Sequence, residues 1–337
     1  MKQDALYGAL AANLPASGKV AVAYSGGLDS SALLHLVRRY AAENPLQLYV
    51  FHIHHGLSPA ADSWLAHSES AAREAGAVFE ARRIALQDAG KHGIEQAART
   101  ARYAALGELC TRHHVPLLLT AHHLDDQAET VLLQLLRGSG VAGLSGMEAA
   151  NIAPGLLGTD AVTVARPLLA HSREELAAYV AQHGIAHIDD ESNADPRFAR
   201  NALRLEVMPV LARLFPGFQQ RFARSAAHAQ SAQRVLEDVG GEDLARCADG
   251  AELDLSAFQG LSPERRANVL RLWFAQRGLR MPAAAWLTEL QAQIFEAKHD
   301  AQLCVTHPQC RLRRYRGKLY IDPRRAGEDA RTGELYD

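Results

Sequence analysis

VAVAYSGGLDSSALLHL, residues 20–36, consists of an apolar run, a tight turn with two glycines and a segment with helical spacing. This order is typical of an anion-binding loop that follows a strand and opens a helix. The turn has no lysine, and no Gly-Lys pair in the chain fits the G-x-x-x-x-G-K-[ST] pattern of a Walker loop. An aspartate stands in the turn instead, and its charge has to be reconciled with any bound phosphate.

The turn itself offers the groups that an anion needs. The two glycines let backbone N–H groups point inward, and two serine hydroxyls and a helix N-terminus add to the cradle. Because Asp29 would repel phosphate directly, we expect it to act through Mg²⁺ held between its carboxylate and the phosphate oxygens. The alternative is that Asp29 caps the helix, a common role of aspartate. The residues of this predicted cradle are Ser25, Gly26, Gly27, Leu28, Asp29 and Ser30.

Apolar and helical segments alternate along the first half of the chain. Buried strands are predicted at 20–24, 48–53, 77–84 and 115–121, and helices at 30–43, 60–76, 93–112 and 124–137. Such alternation predicts βαβ units, and the nearly continuous apolar strands favour a parallel sheet covered on both faces. Ser172, Glu175 and Gly184 predict one further helix with a capping box and a glycine stop. The fold class is therefore α/β, with a parallel sheet and helices on both faces.

The length of 337 residues is too great for one ordinary core and suggests two domains. Pro216-Gly217 is the clearest break in the pattern. We predict a first domain over 1–215, a linker helix over 216–240, a small α/β domain over 241–325 and a tail over 326–337. In the small domain, residues 253–258 and three later segments resemble strands.

Composition narrows the class of protein. The chain is 48% apolar and 22% charged with a net charge of −2, so it has no global attraction to polyanions or anionic membranes. No stretch approaches ~20 apolar residues and the N-terminus lacks an apolar signal core, so we expect a cytoplasmic protein without a membrane span. The four cysteines form no C-x-x-C pair and suggest reduced thiols.

The segment AHHLDDQAET carries His122, Asp125, Asp126 and Glu129 at i, i+3, i+4 and i+7. In a helix these side chains would share one side of the first two turns. Three crowded carboxylates are costly unless a cation or arginine neutralises them, which favours a site. The alternative is a solvated acidic helix start, favoured by the helix dipole.

Histidines suggest an alternative from a different class of enzyme. His52, His54, His55, His122 and His123 would suit a zinc phosphoesterase, and His54 follows a predicted strand at the edge where α/β sites lie. The H-x-H-H string lacks the nearby acidic ligand that such a hydrolase needs.

Arginines are concentrated in three places. Arg99 and Arg102 lie at i and i+3 of a predicted helix, and Arg200, Asn201 and Arg204 follow the polar run 189–193. Arg311, Arg313, Arg314 and Arg316 alternate along a predicted strand with tyrosines nearby, a pattern suited to phosphate contacts with occasional stacking. For each group a solvated surface is the alternative.

These motifs together resemble a known family. SGGLDS after a strand looks like the pyrophosphate loop of the ATP pyrophosphatases, which leaves several synthetases and tRNA thiolases open. Further segments, in order, closely resemble the tRNA(Ile)-lysidine synthases over roughly 18–215, and the second half resembles their small tRNA-contacting domain more weakly. The thiolases normally use cysteine pairs, and none is present. The segments are 52–64, 93–106, 120–147, 166–169 and 189–204.

The resemblance implies an adenine nucleotide α-hydrolase-like fold and a two-step ligase reaction. ATP with Mg²⁺ would adenylate the wobble cytidine of a CAU-anticodon tRNA(Ile), and free L-lysine would then displace AMP. It implies that ATP is contacted by the loop residues 25–30 and also by His54, His122, Arg99 and Arg102. It implies catalytic roles for Asp29, Asp125, Asp126 and Glu129, and it does not decide which carboxylate is the base. It implies substrate or tRNA contacts from Asn193, Arg200, Asn201, Arg204 and the four arginines of 311–316.

The sequence does not identify the lysine pocket, the tRNA bases that are recognised or the oligomeric state. A homodimer is compatible with it. Larger members of the resembled family carry a further C-terminal domain.

Overall fold

The computed structural model describes residues 2–54, 56, 60–84, 94–189, 199–279, 281, 284–296 and 304–323. The chain divides into two compact units, Met1–Gln230 and Ser231–Asp337. The unit boundary falls inside the helix Phe218–Cys247, which is longer than the predicted linker helix. The predicted domain boundaries at 215 and 240 stay a prediction.

A mostly parallel sheet forms the centre of the first unit. Its order is β3-β2-β1-β4-β6-β5, and only β5 runs antiparallel, at one edge. The strands are β1 (Gly18–Ala23), β2 (Leu46–His54), β3 (Val78–Arg83), β4 (Leu117–Leu119), β5 (Ala150–Ile152) and β6 (Thr163–Ala165). The predicted α/β class is therefore confirmed, with an antiparallel edge strand that was not predicted from the sequence.

Helices cover both faces of this sheet. The helices of the first unit are α1 (Lys2–Ala11), α2 (Leu28–Glu43), α3 (Ala61–Glu74), α4 (Ile94–His113), α5 (Leu124–Leu136), α6 (Val141–Leu144), α7 (Pro154–Leu157), α8 (Arg173–His183), α9 (Ala199–Ala202), a π-helix (Leu203–Val207), α10 (Met208–Leu214) and the start of α11 (Phe218–Cys247). The predicted capping box of Ser172 and Glu175 is present at α8, which ends at Gly184 in the left-handed conformation.

Alternation along β1 explains the two layers of the core. Val20 and Val22 pack on one face with α2 and α8, whereas Ala21 packs on the other face with α4. The chain adds β2 and β3 on one side of β1 and β4 on the other side. The carboxyl ends of β1 and β4 therefore flank a topological switch point, where ligands of open α/β sheets bind.

The second unit is built on an antiparallel sheet of order β7-β8-β11-β10-β9. Its elements after α11 are β7 (Ala248–Asp249), β8 (Glu252–Asp254), α12 (Leu255–Gln259), α13 (Pro263–Ala275), α14 (Ala284–Glu296), β9 (Cys304–His307), β10 (Cys310–Tyr315) and β11 (Lys318–Pro323). Trp273 and Phe274 of α13 lie at the centre of its core. The predicted strand over 253–258 is wrong in its second half, because Asp254 accepts a hydrogen bond from Ser256 N (2.7 Å) and starts α12.

None of the helices in the described part of the chain combines the length and the apolar character needed to cross a membrane.

Candidate functional site

The loop between β1 and α2 is held in one shape by its own hydroxyls and by a neighbouring segment. Ser30 Oγ donates to Gly27 O (3.0 Å) and lies 3.2 Å from Ser25 Oγ. Gly26 has a φ of +87°, which favours glycine, and its carbonyl accepts a hydrogen bond from Ile188 N at 2.9 Å. Gly27 pairs with Ile188 in a parallel bridge. The segment after α8 thus supports the loop from outside.

Asp29 lies in the first turn of α2 and does not cap that helix. The N-cap of α2 is Gly27, which makes no side-chain cap, and Asp29 Oδ1 is buried without a hydrogen-bond partner in the described structure. Oδ2 lies 3.6 Å from His123 Nε2, and Oδ1 lies 3.8 Å from Arg173 Nε. Burial acts to raise the pKa of Asp29, but the hydrogen bond from His123 and the charges of His123, Arg173 and Arg204 outweigh it and lower the pKa.

A cavity of about 610 Å³ opens over this loop at the carboxyl ends of the parallel strands. Its floor is apolar, with Phe51, Ile53 and Leu106, and its wall includes Trp64 of α3. Of the predicted residues, those that line it are Ser25, Gly27, Leu28, Asp29, Ser30, His54, Arg102, His122, Asp126 and Arg204. A volume of this size with an apolar floor and a polar rim is typical of a small-molecule site.

The acidic segment after β4 is divided by the start of α5. His123 is the N-cap: its Nδ1 accepts from Asp126 N (3.3 Å), and the Asp126 carboxylate accepts from His123 N (3.0 Å). His123 Nε2 then lies 3.3 Å from Asp126 Oδ2 and faces Asp29 as well. Burial acts to lower the pKa of His123, but Asp29, Asp126 and Asp125 raise it. A buried histidine therefore links the loop aspartate to Asp126.

Glu129 is engaged by two arginines from the distant segment 199–207. Its oxygens accept from Arg200 Nε (2.7 Å) and Arg204 Nε (2.7 Å), and its side chain is only 2% exposed. Both arginines also lie 3.5 Å from Asp126 Oδ1. The acidic cluster is thus neutralised by arginine, one of the two conditions that its crowding required, and a fully solvated helix start is wrong for these residues.

Asp125 points to a different partner. Its Oδ2 accepts from the backbone N of Arg173 (2.9 Å) at the start of α8, and its Oδ1 accepts from Gln219 Nε2 (3.2 Å). Asp125 does not line the cavity described above. Adjacent residues of a helix point about 100° apart, so Asp125 and Asp126 face different partners, and the expected cluster on one side separates.

His122 lies just before the helix, where its Nδ1 is 2.9 Å from Thr120 Oγ1. Burial, and then the charges of Arg166, Arg99, Arg200 and Arg102, hold its pKa well below the ordinary value. Arg99 and Arg102 lie over the ring of Tyr103, with guanidinium carbons 4.9 and 5.5 Å from its centroid. His122 is therefore a neutral group in cationic surroundings, which suits contact with an anion.

His54 ends β2 at the cavity, and its Nε2 lies 3.3 Å from Asp62 Oδ1, which also accepts from Arg83 Nη2 (2.6 Å). His52 Nδ1 lies 3.0 Å from Tyr24 O. Within the described ranges no three His, Cys, Asp or Glu side chains are placed to hold a metal ion among themselves. His55 lies outside the described residues.

The arginines of β10 lie on two faces of the second unit's sheet. Cys310 and Leu312 are buried, and Arg311 and Arg313 alternate with them on the outer face. Arg313 forms an ion pair with Asp322 on the neighbouring strand β11, whereas Arg314 donates to Ile294 O (3.1 Å). Arg316 occupies the turn, stacked over Tyr315. Asn201 lies in α9, and Asn193 falls outside the described residues.

Three residues that shape the site were not predicted from the sequence: His123 as a cap, Arg173 beside Asp29 and Ile188 beneath the loop. No usual capping pattern pointed to His123, because histidine is not among the preferred N-cap residues. The roles of Arg173 and Ile188 depend on long-range contacts and carried no local pattern.

A glycine turn under a helix N-terminus, with a buried aspartate at the switch point of a parallel sheet, defines a nucleotide-binding protein of the PP-loop class. The family model described as the PP-loop domain matches residues 3–211, and that of the TilS substrate binding domain matches 253–320. The chain belongs to the family of the tRNA(Ile)-lysidine synthases, as the following relatives show.

The tRNA(Ile)-lysidine synthase of Burkholderia mallei is 48% identical over 315 residues, which cover 93% of this chain and 63% of that protein. That of Ralstonia nicotianae is 46% identical, with 90% of this chain and 64% of that protein covered. That of Serratia proteamaculans is 40% identical, with coverages of 96% and 72%. The chain thus spans slightly less than two thirds of the length of the first two relatives.

A solved structure shares the fold at low sequence identity. The U34-tRNA thiolase of Methanococcus maripaludis, with its [4Fe-4S] cluster, matches with a TM-score of 0.54 and 16% identity over 67% of this chain and 79% of that chain. This likeness concerns the fold alone. In the present chain all four cysteines are free, and only Cys304 is exposed.

Proposed function

We propose that this chain is a tRNA(Ile)-lysidine synthase that adenylates the wobble cytidine of a CAU-anticodon tRNA(Ile) and joins free L-lysine to it. The observation that carries the proposal is one cavity that brings the glycine loop and Asp29 together with His122, Asp126 and Arg204. The loop supplies a phosphate cradle, and the facing segment supplies a base and cations for a second reactant. The names of the relatives support the choice of substrate.

In the first step, the ring carbonyl oxygen of the cytidine attacks the α-phosphorus of ATP. A P–O bond forms to that oxygen, the bond to the β-phosphate breaks, and pyrophosphate leaves. The loop and the first turn of α2 line the cavity and would receive the departing anion at the N-terminus of the helix, and Arg102, Arg173 and Arg204 add positive charge. The apolar floor of Phe51, Ile53 and Leu106 suits the adenine ring.

The residues also fit a magnesium ion. Asp29 Oδ1 is a buried carboxylate oxygen without a hydrogen bond, and a lowered pKa keeps this group ionised. Mg²⁺ is commonly held by one or two carboxylates together with substrate phosphates, so a cage of several protein ligands is not needed. When bound, the ion would neutralise charge on the phosphate oxygens. We assign Asp29 as its ligand.

In the second step, the ε-amine of lysine attacks the activated ring carbon, a C–N bond forms, and the C–O bond to AMP breaks. The amine must lose its proton to react, so a base is required. Of the three candidate carboxylates only Asp126 lines the cavity, because Asp125 is bound to Arg173 N and Gln219, and Glu129 to two arginines. Asp126 is the base that we favour.

The partners of the reaction follow from the same proposal. Arg311 and Arg313 on the outer face of the second unit would contact tRNA phosphates, and Arg200 and Arg204 would hold the acidic segment in place for the substrate. A cytoplasmic location, where ATP, lysine and tRNA meet, and a homodimer compatible with the sequence belong to the proposal.

The test is incorporation of labelled lysine into tRNA(Ile) with a CAU anticodon in the presence of ATP and Mg²⁺. We expect incorporation together with stoichiometric pyrophosphate release by the wild-type chain. Asp29→Ala should abolish release and leave tRNA affinity nearly unchanged, whereas Asp160→Ala, at an exposed position, should be silent. Thiolation or amide transfer without lysine incorporation would overturn the proposal. A decrease in tRNA affinity together with the absence of release in Asp29→Ala would overturn the assignment of Asp29.

A further inference from the structure

Large apolar side chains are exposed in one short part of the first unit. Of the ten exposed ones in the described part of residues 1–230, five lie within 205–215. They are Leu205, Val207, Val210, Leu214 and Phe215, with exposures of 47, 37, 41, 58 and 54%. Single exposed apolar residues are ordinary, but a contiguous group marks a surface that another molecule covers.

Val210 and Leu214 of this group lie on helix α10, Leu205 and Val207 lie in the π-helix before it, and Phe215 follows it. Helix α10 contains no buried residue over its seven positions. A helix this short is marginal in water unless an apolar face is packed. We therefore define the α10 surface as these five side chains together with Arg213, Arg221 and Arg224, which are exposed on α10 and the first turns of α11.

Charge indicates what covers this surface. Residues 205–224, which carry the surface, contain three arginines and one acidic residue, Glu206, in a chain whose net charge is −2. This local excess of positive charge is complementary to a polyanion. Apolar and aromatic side chains beside arginines are the combination that binds single-stranded nucleic acid, because bases stack on the apolar groups while phosphates meet the cations.

The position of the surface points the same way. Arg204 and Leu205 line the cavity while Leu205 is also exposed to solvent, which places them where the cavity opens, and the π-helix that carries them leads directly into α10. A base that reacts in the cavity is covalently joined to neighbouring nucleotides, which have to leave through the mouth. We propose that the α10 surface binds the unpaired nucleotides next to the modified one, with Phe215 as a stacking platform. This inference rests on the proposed function.

The experiment compares the affinity of full-length variants for tRNA(Ile) with a CAU anticodon and for an RNA hairpin with a fully paired stem and a minimal loop. We expect Phe215→Ala to weaken tRNA binding about tenfold, the size typical of one base stack, and Phe215→Tyr to retain it. Ile152→Ala, at an equally exposed position on β5, should change nothing. Hairpin affinity should be unaffected in every variant.

The arginines are tested by salt dependence. The double variant Arg221→Ala/Arg224→Ala should reduce the slope of log affinity against log salt by about 1.4, because each phosphate neutralised on a single strand contributes about 0.7. Arg38→Ala, exposed on α2, is the matched control.

Unchanged tRNA affinity in Phe215→Ala would overturn the inference. A change in the sedimentation of this variant without a change in its RNA binding would also overturn it, and would assign the surface to contact with a second copy of the chain. Lysine incorporation by the wild-type chain is measured in parallel. Its absence would reject the proposed function, whereas the ratio of variant to wild-type RNA affinity tests the surface by itself.

Discussion

Glu129 shows how one residue can be needed for the site without facing the substrate. Its two oxygens are bound by Arg200 and Arg204, so the carboxylate joins α5 to the segment 199–207. Those arginines also face Asp126, the base that we favour. Removing Glu129 would therefore disturb the position and the charge of two cations at the edge of the cavity.

We expect Glu129→Gln to lower the free energy of unfolding by about 3 kcal/mol, because it removes the buried charge that pairs with two half-buried arginines. Chemical denaturation measures the decrease. The matched control is Glu69→Gln, whose ion pair with Arg73 is more than half exposed on both sides, and there the decrease should stay below about 1 kcal/mol. Equal decreases in the two variants would contradict the structural role of Glu129.

The two neighbouring histidines of the site should respond to pH with opposite signs. Burial and four arginine charges lower the pKa of His122 below 6.5, so below that pH the unfolded chain binds a proton that the folded chain excludes. Stability contributed by neutral His122 is then lost as pH falls through about 6.5. Burial acts to lower the pKa of His123, but three carboxylates outweigh it and raise this pKa. The stability that protonated His123 contributes is therefore fully present below about pH 6.5 and is lost as pH rises through the pKa of the folded state.

The measurement is the free energy of unfolding of wild type, His122→Gln and His123→Gln between pH 5 and 8. His122→Gln should flatten the decline in stability below about pH 6.5, and His123→Gln should remove the gain in stability that the wild type shows as pH falls from 8 towards 6.5. A parallel shift of all three curves, without a change in slope, would show that neither ring titrates as assigned.

At the scale of elements, the loop after β1 depends on two glycines for different reasons. Gly26 has a φ of +87°, and a Cβ there would lie 2.9 Å from Ile188 Cδ1. Gly27 has an ordinary φ of −73°, and the nearest atom to its added Cβ would lie at 3.6 Å. Only the first position is closed to other residues by its backbone.

We expect Gly26→Ala to destabilise the ligand-free protein by about 1–2 kcal/mol, since a side chain is strained in this conformation. Gly27→Ala is the matched control and should be close to neutral in the absence of ATP. Adding Ile188→Ala to Gly26→Ala relieves the steric overlap but not the backbone strain, so it should not restore stability. Full restoration would show that the Ile188 side chain, and not φ, sets the requirement for glycine.

Elements were predictable where the cause is local. The turn at 25–30, the strand–helix alternation and the capping box of α8 all follow from residues within a few positions of one another. The bound state of Glu129 was not predictable, because its arginine partners lie 71 and 75 residues away. The helix start at 124 was predicted, but the separation of Asp125 from Asp126 was not, because the partners of Asp125, Arg173 N and Gln219, lie 48 and 94 residues away.

On the scale of the whole molecule, charge is arranged locally. A net charge of −2 provides no general attraction for RNA, so binding must rest on particular surfaces of each unit. In the second unit, the alternation of side chains along β10 decides which arginines are available to bind RNA phosphates. Arg311 and Arg313 share the outer face with Tyr320 and Asp322 of β11, while Arg314 is used inside the unit by the carbonyl of Ile294.

We therefore expect the double variant Arg311→Ala/Arg313→Ala to affect RNA binding and the single variant Arg314→Ala to affect stability. The double variant should weaken tRNA binding and lower the slope of log affinity against log salt by about 0.7–0.9 for each phosphate that is no longer neutralised. Its stability should be nearly unchanged, because Arg313 is exposed and its ion pair with Asp322 contributes little. Arg314→Ala should keep the salt slope but reduce stability by about 1 kcal/mol, because its hydrogen bond to the Ile294 carbonyl is removed. Affinity titrations across a salt series, together with denaturation curves, separate the two outcomes. A reduced slope in Arg314→Ala with no change in the double variant would mean that RNA meets the opposite face of this sheet.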